Sequence, residues 1–339
     1  MDCVNICGVP FLLQGEASPA HAAIAEMFRC LPRQNAAPGV TLCVRQLEQE
    51  TSLNRYLPAW LLAHVVNLPE SDEVQLVYGD TGNCAALAAN ELTRYCAWMD
   101  AGTQHLHYLA QKRTAGLTPL SVSSVLVPVL REFFAVQDKV LLHAAALQTP
   151  SGHGVLLLAE SGGGKTTTAL SLLRSGARLL ADDLVTLQTV DNTTHMQGIA
   201  EALNLSAQTI AFFPELENAV RALPTQTVLP NGKRVLAADA VYGQAYTHEP
   251  CPLHAICVLQ IDRDKPLLQP LSVQHAFGLL LHAHTFARGQ RPSHAAMAVC
   301  SSALETLPAY TLFSGPNPQA LGPWLMDALQ NLHPLKKVC

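Results

Sequence analysis

A glycine-rich loop set between an apolar strand and a helix constrains this sequence more than any other feature. Residues 155–158 form the short apolar run VLLL, which is typical of a buried strand, and the segment AESGGGKT follows it at residues 159–166. The next residues, TTALSLLRSG, carry apolar side chains at helical spacing and predict a helix over residues 165–174. Later segments repeat the alternation of strand and helix, so the sequence predicts an α/β fold.

The loop has the chemistry of a phosphate-binding P-loop, with Ala159 at the position of the usual first glycine. Its three consecutive glycines let backbone N–H groups turn inward around phosphate oxygens, and the start of the helix favours the same anion. Lys165 adds a charge for the β and γ phosphates, and the Thr166 hydroxyl is placed to hold Mg²⁺. An ordinary glycine-rich turn before a helix is the alternative, but the flanking strand and helix favour phosphate binding. The predicted nucleotide-binding residues are Ser161, Gly162, Gly163, Gly164, Lys165, Thr166 and Thr167.

Two adjacent aspartates, Asp182 and Asp183, follow the apolar run RLLA at residues 178–181. We expect this strand to neighbour the loop and to end at the sheet edge where ligands bind in open α/β sheets. Adjacent carboxylates point in opposite directions, so one can bind Mg²⁺ while the other accepts the proton of an attacking hydroxyl. A pair of solvated turn acids or a helix N-cap is the alternative. We favour catalysis because the pair follows the loop in register.

Together these residues resemble the HPr kinase/phosphorylase family, in which a GxSGxGKS loop is followed by a helix and then by RLVADD. The likeness lies in SGGGKTTTALSLLRSGARLLADDLVTL at residues 161–187 and extends more diffusely over residues 120–335. The resemblance implies the P-loop core of HPr kinase type, dependence on ATP and Mg²⁺, and phosphoryl transfer to a serine hydroxyl. It also implies that Asp182 is the base and that Asp183 lies near the metal.

The resemblance adds two further candidates, His143 and Glu201. The family has a histidine in an HG dipeptide at the end of the strand before the loop, and LLHAAAL offers His143 followed by Ala144. A core histidine bonded to backbone is the alternative for His143. The family signature EIRGLGI is replaced here by MQGIAEALNLSAQTI, in which Glu201 stands in for the acidic residue. The implied metal ligands are Thr166, Asp183 and Glu201.

Charge on a transferring phosphoryl group requires cations besides Lys165 and Mg²⁺. Arg288 is our choice, because the segment LLHAHTFARG brings several donors together before it. Arg291, Lys233 and Arg234 are the other candidates, and a solvated surface charge is the alternative for each. The predicted catalytic residues are therefore Asp182, Lys165, His143 and Arg288.

The sequence predicts two domains. Residues 1–118 show strands near 40–47 and 74–78 and helices near 58–66 and 85–99, which indicates a smaller α+β N-terminal domain of unknown role. The turn-rich segment TAGLTP at residues 114–119 marks a boundary. Residues 119–339 are then the P-loop domain that resembles the HPr kinase catalytic domain.

Composition narrows the remaining function classes. A net charge of −5 provides no basic field for nucleic acid, and no uninterrupted apolar run of membrane-spanning length occurs. The ten cysteines are spread through a chain with 49% hydrophobic residues, which indicates reduced thiols and a cytoplasmic location. The first residues lack the basic start of a secretory signal.

Three functions fit these patterns. Divergent relatives of the family include kinases that phosphorylate a serine in ribosomal precursor peptides, among them lasso-peptide precursors, and others that act on free small molecules. The resemblance therefore implies a kinase whose acceptor is a serine of a peptide or protein, and it implies a homo-oligomer. A small-metabolite kinase on the same core and a regulator that binds ATP without turnover are the alternatives.

Overall fold

The computed structural model describes residues 1–48, 51–90, 93–100, 102–112, 119–222, 228–229, 231–261, 264–286 and 290–331. The chain divides into two compact units. The first comprises Met1–Gln137 with Thr285–Ser293, and the second comprises Asp138–His284 and the residues from His294 onward. No helix among the described residues is long and apolar enough to cross a membrane.

The first unit is built on one mixed sheet. Its strands are β1 (Asp2–Ile6), β2 (Val9–Gly15), β3 (Arg33–Asn35), β4 (Val40–Leu47), β5 (Ser71–Tyr78), β6 (Cys84–Ala89), β7 (Thr93–Met99) and β8 (His105–Lys112). They lie in the order β3-β1-β2-β4-β8-β7-β6-β5, and β4 is parallel to both of its neighbours. The helices of this unit are α1 (Pro19–Met27), α2 (Ala59–Val66) and α3 (Pro119–Ala135).

Because α3 lies in the first compact unit, this unit extends beyond the boundary predicted at residue 118. The helix packs against β6 and β7 and belongs to the first unit, so the unit ends at Gln137. The expected turn-rich boundary at residues 114–119 lies almost wholly outside the described residues. The apolar side chains of α3 explain the difference, because their burial requires a sheet face and the first sheet supplies it.

The helix predicted for residues 85–99 is wrong, since the described residues of this segment lie mainly in the antiparallel strands β6 and β7. Antiparallel pairing joins the two strands, with Ala85 opposite Trp98. Every side chain of β6 is buried, which suits a strand covered on both faces. Alanine favours helices by less than about 1 kcal/mol per residue, and burial in a central strand outweighs that preference.

The second unit contains the glycine-rich loop. Its strands are β9 (Val140–His143), β10 (Ala145–Gln148), β11 (Gly154–Leu158), β12 (Arg178–Ala181), β13 (Leu184–Val190), β14 (Thr193–Gly198), β15 (Leu203–Leu205), β16 (Arg234–Leu236), β17 (Cys251–Gln260), β18 (Pro266–Pro270) and β19 (Ala309–Ser314). Its helices are α4 (Lys165–Arg174), α5 (Ala207–Phe212), α6 (Pro214–Arg221), α7 (Asp239–Tyr242), α8 (Val273–Ala283), α9 (His294–Thr306) and α10 (Pro318–Gln330). The α/β fold expected from the sequence is confirmed.

The main sheet of this unit has the order β12-β10-β11-β17-β14-β13-β9, and β19 extends it beside β17. Strands β11, β17 and β19 run parallel. Strand β10 lies between β12 and β11, so the strand that ends on the aspartates is not the direct neighbour of the strand that leads into the loop. Helix α4 nevertheless packs against both β10 and β12, and this packing brings the loop and the aspartates together.

The apolar residues that precede the glycine-rich loop form two strands, β9 and β10. Strand β9 pairs with β13, whereas β10 pairs with β11 and β12, and the change of partner occurs at the fully buried Ala144. The Ala144 N–H donates to the carbonyl oxygen of Asp183 at 3.0 Å. The break between the two strands therefore fixes the backbone of the aspartate pair.

Candidate active site

The glycine-rich loop has a backbone that glycine alone adopts easily. Gly162 and Gly164 have φ angles of 79° and 92°, in the left-handed region. A Cβ atom on Gly163 would lie 2.8 Å from the Cβ atom of Ala159, so this position also excludes a side chain. Gly164 is the N-cap of α4, which places the loop at the positive end of the helix dipole. This geometry suits a phosphate group.

Lys165 is held inside the loop. Its ammonium group donates to the carbonyl oxygen of Ala159 at 2.9 Å, and the side chain is buried. Burial lowers the pKa of Lys165, while the nearby charges of Asp183 and Asp182 raise it. Ala159 therefore contributes its backbone carbonyl group, which alanine supplies as well as glycine does.

Asp182 is the most enclosed carboxylate of the site, at 4% exposure. Its Oδ2 atom accepts a hydrogen bond of 2.7 Å from the Thr166 hydroxyl, while its buried Oδ1 atom has no hydrogen-bond partner among the described residues. Burial and the charge of Asp183 raise the pKa of Asp182 to about 7, while Thr166 and Lys165 oppose the rise. A buried carboxylate oxygen without a partner is costly unless a ligand uses it.

Asp183 points the other way and is about one-third exposed. Its Oδ1 atom lies 3.9 Å from Nε2 of His143, because β9 and β13 pair Leu184 with His143. Burial lowers the pKa of His143, Asp183 raises it, and Lys165 lowers it further. The structure thus places His143 beside Asp183.

Glu201 lies close enough to Asp182 and Asp183 for their charges to affect its pKa, and these three residues are called the acidic cluster below. Burial raises its pKa to about 8, and the charges of Asp183 and Asp182 add to the rise. The backbone reaches this position because Gly198 passes close to β12, where a Cβ atom would lie 2.0 Å from the carbonyl oxygen of Leu180. Three acidic groups therefore lie near one another beside the loop.

The candidate cations predicted from the sequence lie in different parts of the chain. Arg288 lies outside the described residues. Arg291 belongs to the first unit, where its carbonyl oxygen accepts a hydrogen bond from Arg131. Lys233 is exposed in the turn before β16, and its charge lowers the pKa values of both Asp182 and Lys165. Lys233 is thus a cation that the second unit brings near the loop.

Thr167 makes a contact that sequence reasoning missed. Its hydroxyl lies 3.3 Å from that of Thr209, which in turn lies 2.9 Å from the hydroxyl of Ser206. Ser206 is the N-cap of α5. A serine is a common N-cap, so the sequence could have indicated the cap, but the contact with the loop depends on the tertiary fold.

The donors near Asp182 are compatible with magnesium. Carboxylate and hydroxyl oxygens are the ligands that Mg²⁺ prefers, and it commonly takes one or two carboxylates together with substrate phosphates. In the described part of the chain, no group of three or more His, Cys, Asp or Glu side chains could hold a metal by itself. Thr166 and the acidic cluster therefore suit a metal ion that is bound partly by these side chains and partly by phosphate oxygens of a ligand.

An α/β unit with a glycine-rich loop at a helix N-terminus and a buried carboxylate beside it is an arrangement typical of phosphate-binding proteins. Residues 135–208 match the family model of the HPr Serine kinase C-terminal domain. This segment contains His143, the loop, both aspartates and Glu201. In this segment the chain is HPr kinase-like, and the family resemblance inferred from the sequence is confirmed.

Known proteins of this kind match the same part of the chain. The HPr kinase/phosphorylase of Lactobacillus delbrueckii subsp. bulgaricus is 35% identical over 92 residues, which cover 25% of this chain and 29% of the relative. That of Treponema pallidum (strain Nichols) is 38% identical over 78 residues, or 23% of this chain and 24% of the relative. The chain thus spans less than a third of the length of either relative.

A solved structure of the HPr(Ser) kinase/phosphatase from Coxiella burnetii aligns with a TM-score of 0.29 and 13% identity. The alignment covers 56% of this chain and 94% of the other.

Proposed function

We propose that this protein is an ATP- and Mg²⁺-dependent kinase that transfers the γ-phosphate to a serine hydroxyl of a protein or of a ribosomal precursor peptide. One observation carries the proposal: the buried Oδ1 atom of Asp182 has no partner among the described residues, while Oδ2 is bonded to the loop residue Thr166. An acceptor hydroxyl would supply the missing partner. The HPr kinase-like segment supports the same reaction class.

The loop binds the donor in this mechanism. Backbone N–H groups of Ser161 to Thr167 surround the phosphates, and the ammonium group of Lys165 leaves the Ala159 carbonyl to contact the β and γ phosphates. Bound magnesium would neutralise the phosphate oxygens, and Thr166, Asp183 and Glu201 are the residues that would hold it. Lys233 supplies a further positive charge near the transferred group.

Asp182 acts on the acceptor. Its Oδ1 atom accepts the hydroxyl proton while the hydroxyl oxygen forms a bond to the γ-phosphorus, and the bond from that phosphorus to the β,γ-bridging oxygen breaks. ADP leaves with the electron pair of the broken bond. A pKa of about 7 allows Asp182 to be ionised before the reaction and to hold the proton afterwards. His143 contacts Asp183 and orients it.

The names of the relatives support a protein acceptor. HPr kinase/phosphorylases are named for a protein acceptor, and the same loop and aspartates here suit a serine hydroxyl. We therefore propose a protein or peptide acceptor and a cytoplasmic homo-oligomer, in which the second unit, rather than all of residues 119–339, is the catalytic part. Arg288 is proposed as an additional transition-state cation.

Label transfer from γ-labelled ATP tests the proposal. The wild type is incubated with Mg²⁺ and with serine-containing peptides or free serine, beside Lys165→Ala and Asp182→Asn. We expect peptide labelling by the wild type and a loss of at least about 100-fold in both variants, because one loses phosphate binding and the other the base.

Asp191→Asn is the matched control. Asp191 is exposed in the β13–β14 turn, at a φ of 49° that asparagine also accepts, so this variant should label at the wild-type rate. Labelling of free serine alone would favour a small-metabolite kinase. ATP binding with no transfer to any acceptor would contradict the kinase proposal and favour a regulator.

A further inference from the structure

The phenol of Tyr246 joins two backbone segments of the candidate site. Its hydroxyl donates to the carbonyl oxygen of Glu201 at 2.9 Å and accepts from the N–H group of Ala238 at 3.1 Å. The side chain is buried, at 5% exposure. Both hydrogen bonds are therefore shielded from water, and neither partner can exchange them for solvent without moving.

The backbone of Tyr246 is hydrogen-bonded to β12, the strand that leads into the aspartates. Leu179 in β12 donates to the carbonyl oxygen of Ala245 at 2.7 Å and accepts from the N–H group of Thr247 at 2.9 Å. Arg178 of the same strand donates to the carbonyl oxygen of Tyr246 at 2.7 Å. Residues 245–247 thus extend the sheet beside β12, and β12 ends one residue before Asp182.

The carboxylate of Asp239 forms a further hydrogen bond to the segment that contains Tyr246. The Oδ1 atom of Asp239 accepts from the N–H group of Ala245 at 2.7 Å. Ala238 lies two residues after β16, and β16 pairs with β15, which begins two residues after Glu201. Tyr246 therefore connects β12, the Glu201 backbone and the chain that follows Lys233.

We propose that Tyr246 is a positioning residue, which sets the place of Glu201 relative to Asp182 through its hydroxyl group. This inference rests on the proposed function, since Glu201 is there a magnesium ligand. Without the hydroxyl, the Glu201 carbonyl and the Ala238 N–H lose their common partner. Glu201 then shifts away from the aspartates, and the metal is bound less well.

The variant Tyr246→Phe keeps the buried ring and removes the hydroxyl alone. We expect the Mg²⁺ concentration for half-maximal transfer to rise at least about fivefold and kcat to fall about 10- to 100-fold, as displaced catalytic groups do. Mn²⁺ binding in the presence of ATP, followed by electron paramagnetic resonance, should weaken by the same factor. Unfolding of part of the sample would lower the number of sites but would leave this affinity unchanged.

Tyr242→Phe is the matched control, because Tyr242 lies in the same stretch and donates instead to Glu215 at 3.1 Å. Its metal dependence should stay within twofold of the wild type. Ala238→Pro is a second test: Ala238 has a φ of −60°, which proline adopts, and the change removes the N–H donor. It should also raise the Mg²⁺ requirement, though less than Tyr246→Phe.

Hydrogen exchange reports the bond without any turnover. The amide of Ala238 should exchange faster in Tyr246→Phe, whereas the amides of β11 should be unchanged. Equal Mn²⁺ affinity and equal Ala238 exchange in the wild type and Tyr246→Phe would overturn the inference. Failure of the wild type to bind ATP with metal would instead contradict the proposed function, and it is detected before any variant is compared.

Discussion

Burial and neighbouring charges together set the pKa of Asp182. Enclosure in the second unit and the adjacent Asp183 raise its pKa from the ordinary value of 3.8 to about 7. Thr166 and Lys165 favour the carboxylate, since a hydrogen bond to the charged form and a nearby cation both stabilise it. A base with a pKa near the working pH can both accept and release a proton.

The rate of transfer should follow this ionisation. Below pH 7 Asp182 is increasingly protonated and cannot accept the hydroxyl proton, so kcat/KM should fall by about tenfold per pH unit and should level off above pH 7.5. Initial rates between pH 5.5 and 8.5 at constant ionic strength measure this profile. Asp191→Asn should have the same profile, and a rate independent of pH across this range would contradict a role for Asp182 as base.

Strands and loops, rather than single residues, bring the acidic cluster together. Strand β12 leads directly into Asp182, and the β9–β13 pairing places His143 beside Asp183. The end of β14 leads the chain toward Glu201. Gly198 is the tightest of these contacts, because its backbone passes against Leu180 in β12. The place of Glu201 therefore depends on a position with no room for a side chain.

Gly198→Ala tests this element. The added methyl group would lie 2.0 Å from the carbonyl oxygen of Leu180, so β14 must move away from β12. Overpacking of this kind costs about 1–3 kcal/mol, and transfer activity should fall as Glu201 is displaced. Gly278→Ala in α8 is the control, since nothing lies within 4 Å of the added atom and alanine favours helices. Thermal unfolding and label transfer measure both variants, and equal behaviour of the two would contradict the packing argument.

Local sequence patterns predicted the parts of the site that lie within one strand–loop–helix segment. The helix over residues 165–174 and the strand over residues 178–181 have the predicted bounds, because glycine geometry and apolar spacing act over a few residues. Contacts between segments that are far apart in the sequence were not predicted. The break at Ala144, the pairing of β6 with β7 and the hydrogen bonds of Tyr246 each depend on which strands meet in the sheet, and spacing along the chain does not encode that.

Over the whole molecule, the HPr kinase-like match and the candidate site lie in one unit. The matched segment, residues 135–208, falls almost entirely within the second unit, which also supplies Lys233 and Tyr246. The first unit contributes a separate eight-stranded sheet within the described residues. A ligand that binds the glycine-rich loop should therefore stabilise the second unit.

Binding of ATP with Mg²⁺ should stabilise the second unit selectively. A ligand at about 100 times its dissociation constant adds about 2.7 kcal/mol to the stability of the state that binds it. We expect a higher thermal midpoint and slower hydrogen exchange in β11, α4 and β12, with β6, β7 and β8 of the first unit unchanged. Lys165→Ala should lose both effects at the same ATP concentration, because it removes the cation that we propose to contact the phosphates. Slower exchange confined to the first unit, or retained in Lys165→Ala, would place the nucleotide elsewhere and would contradict the assignment of the loop.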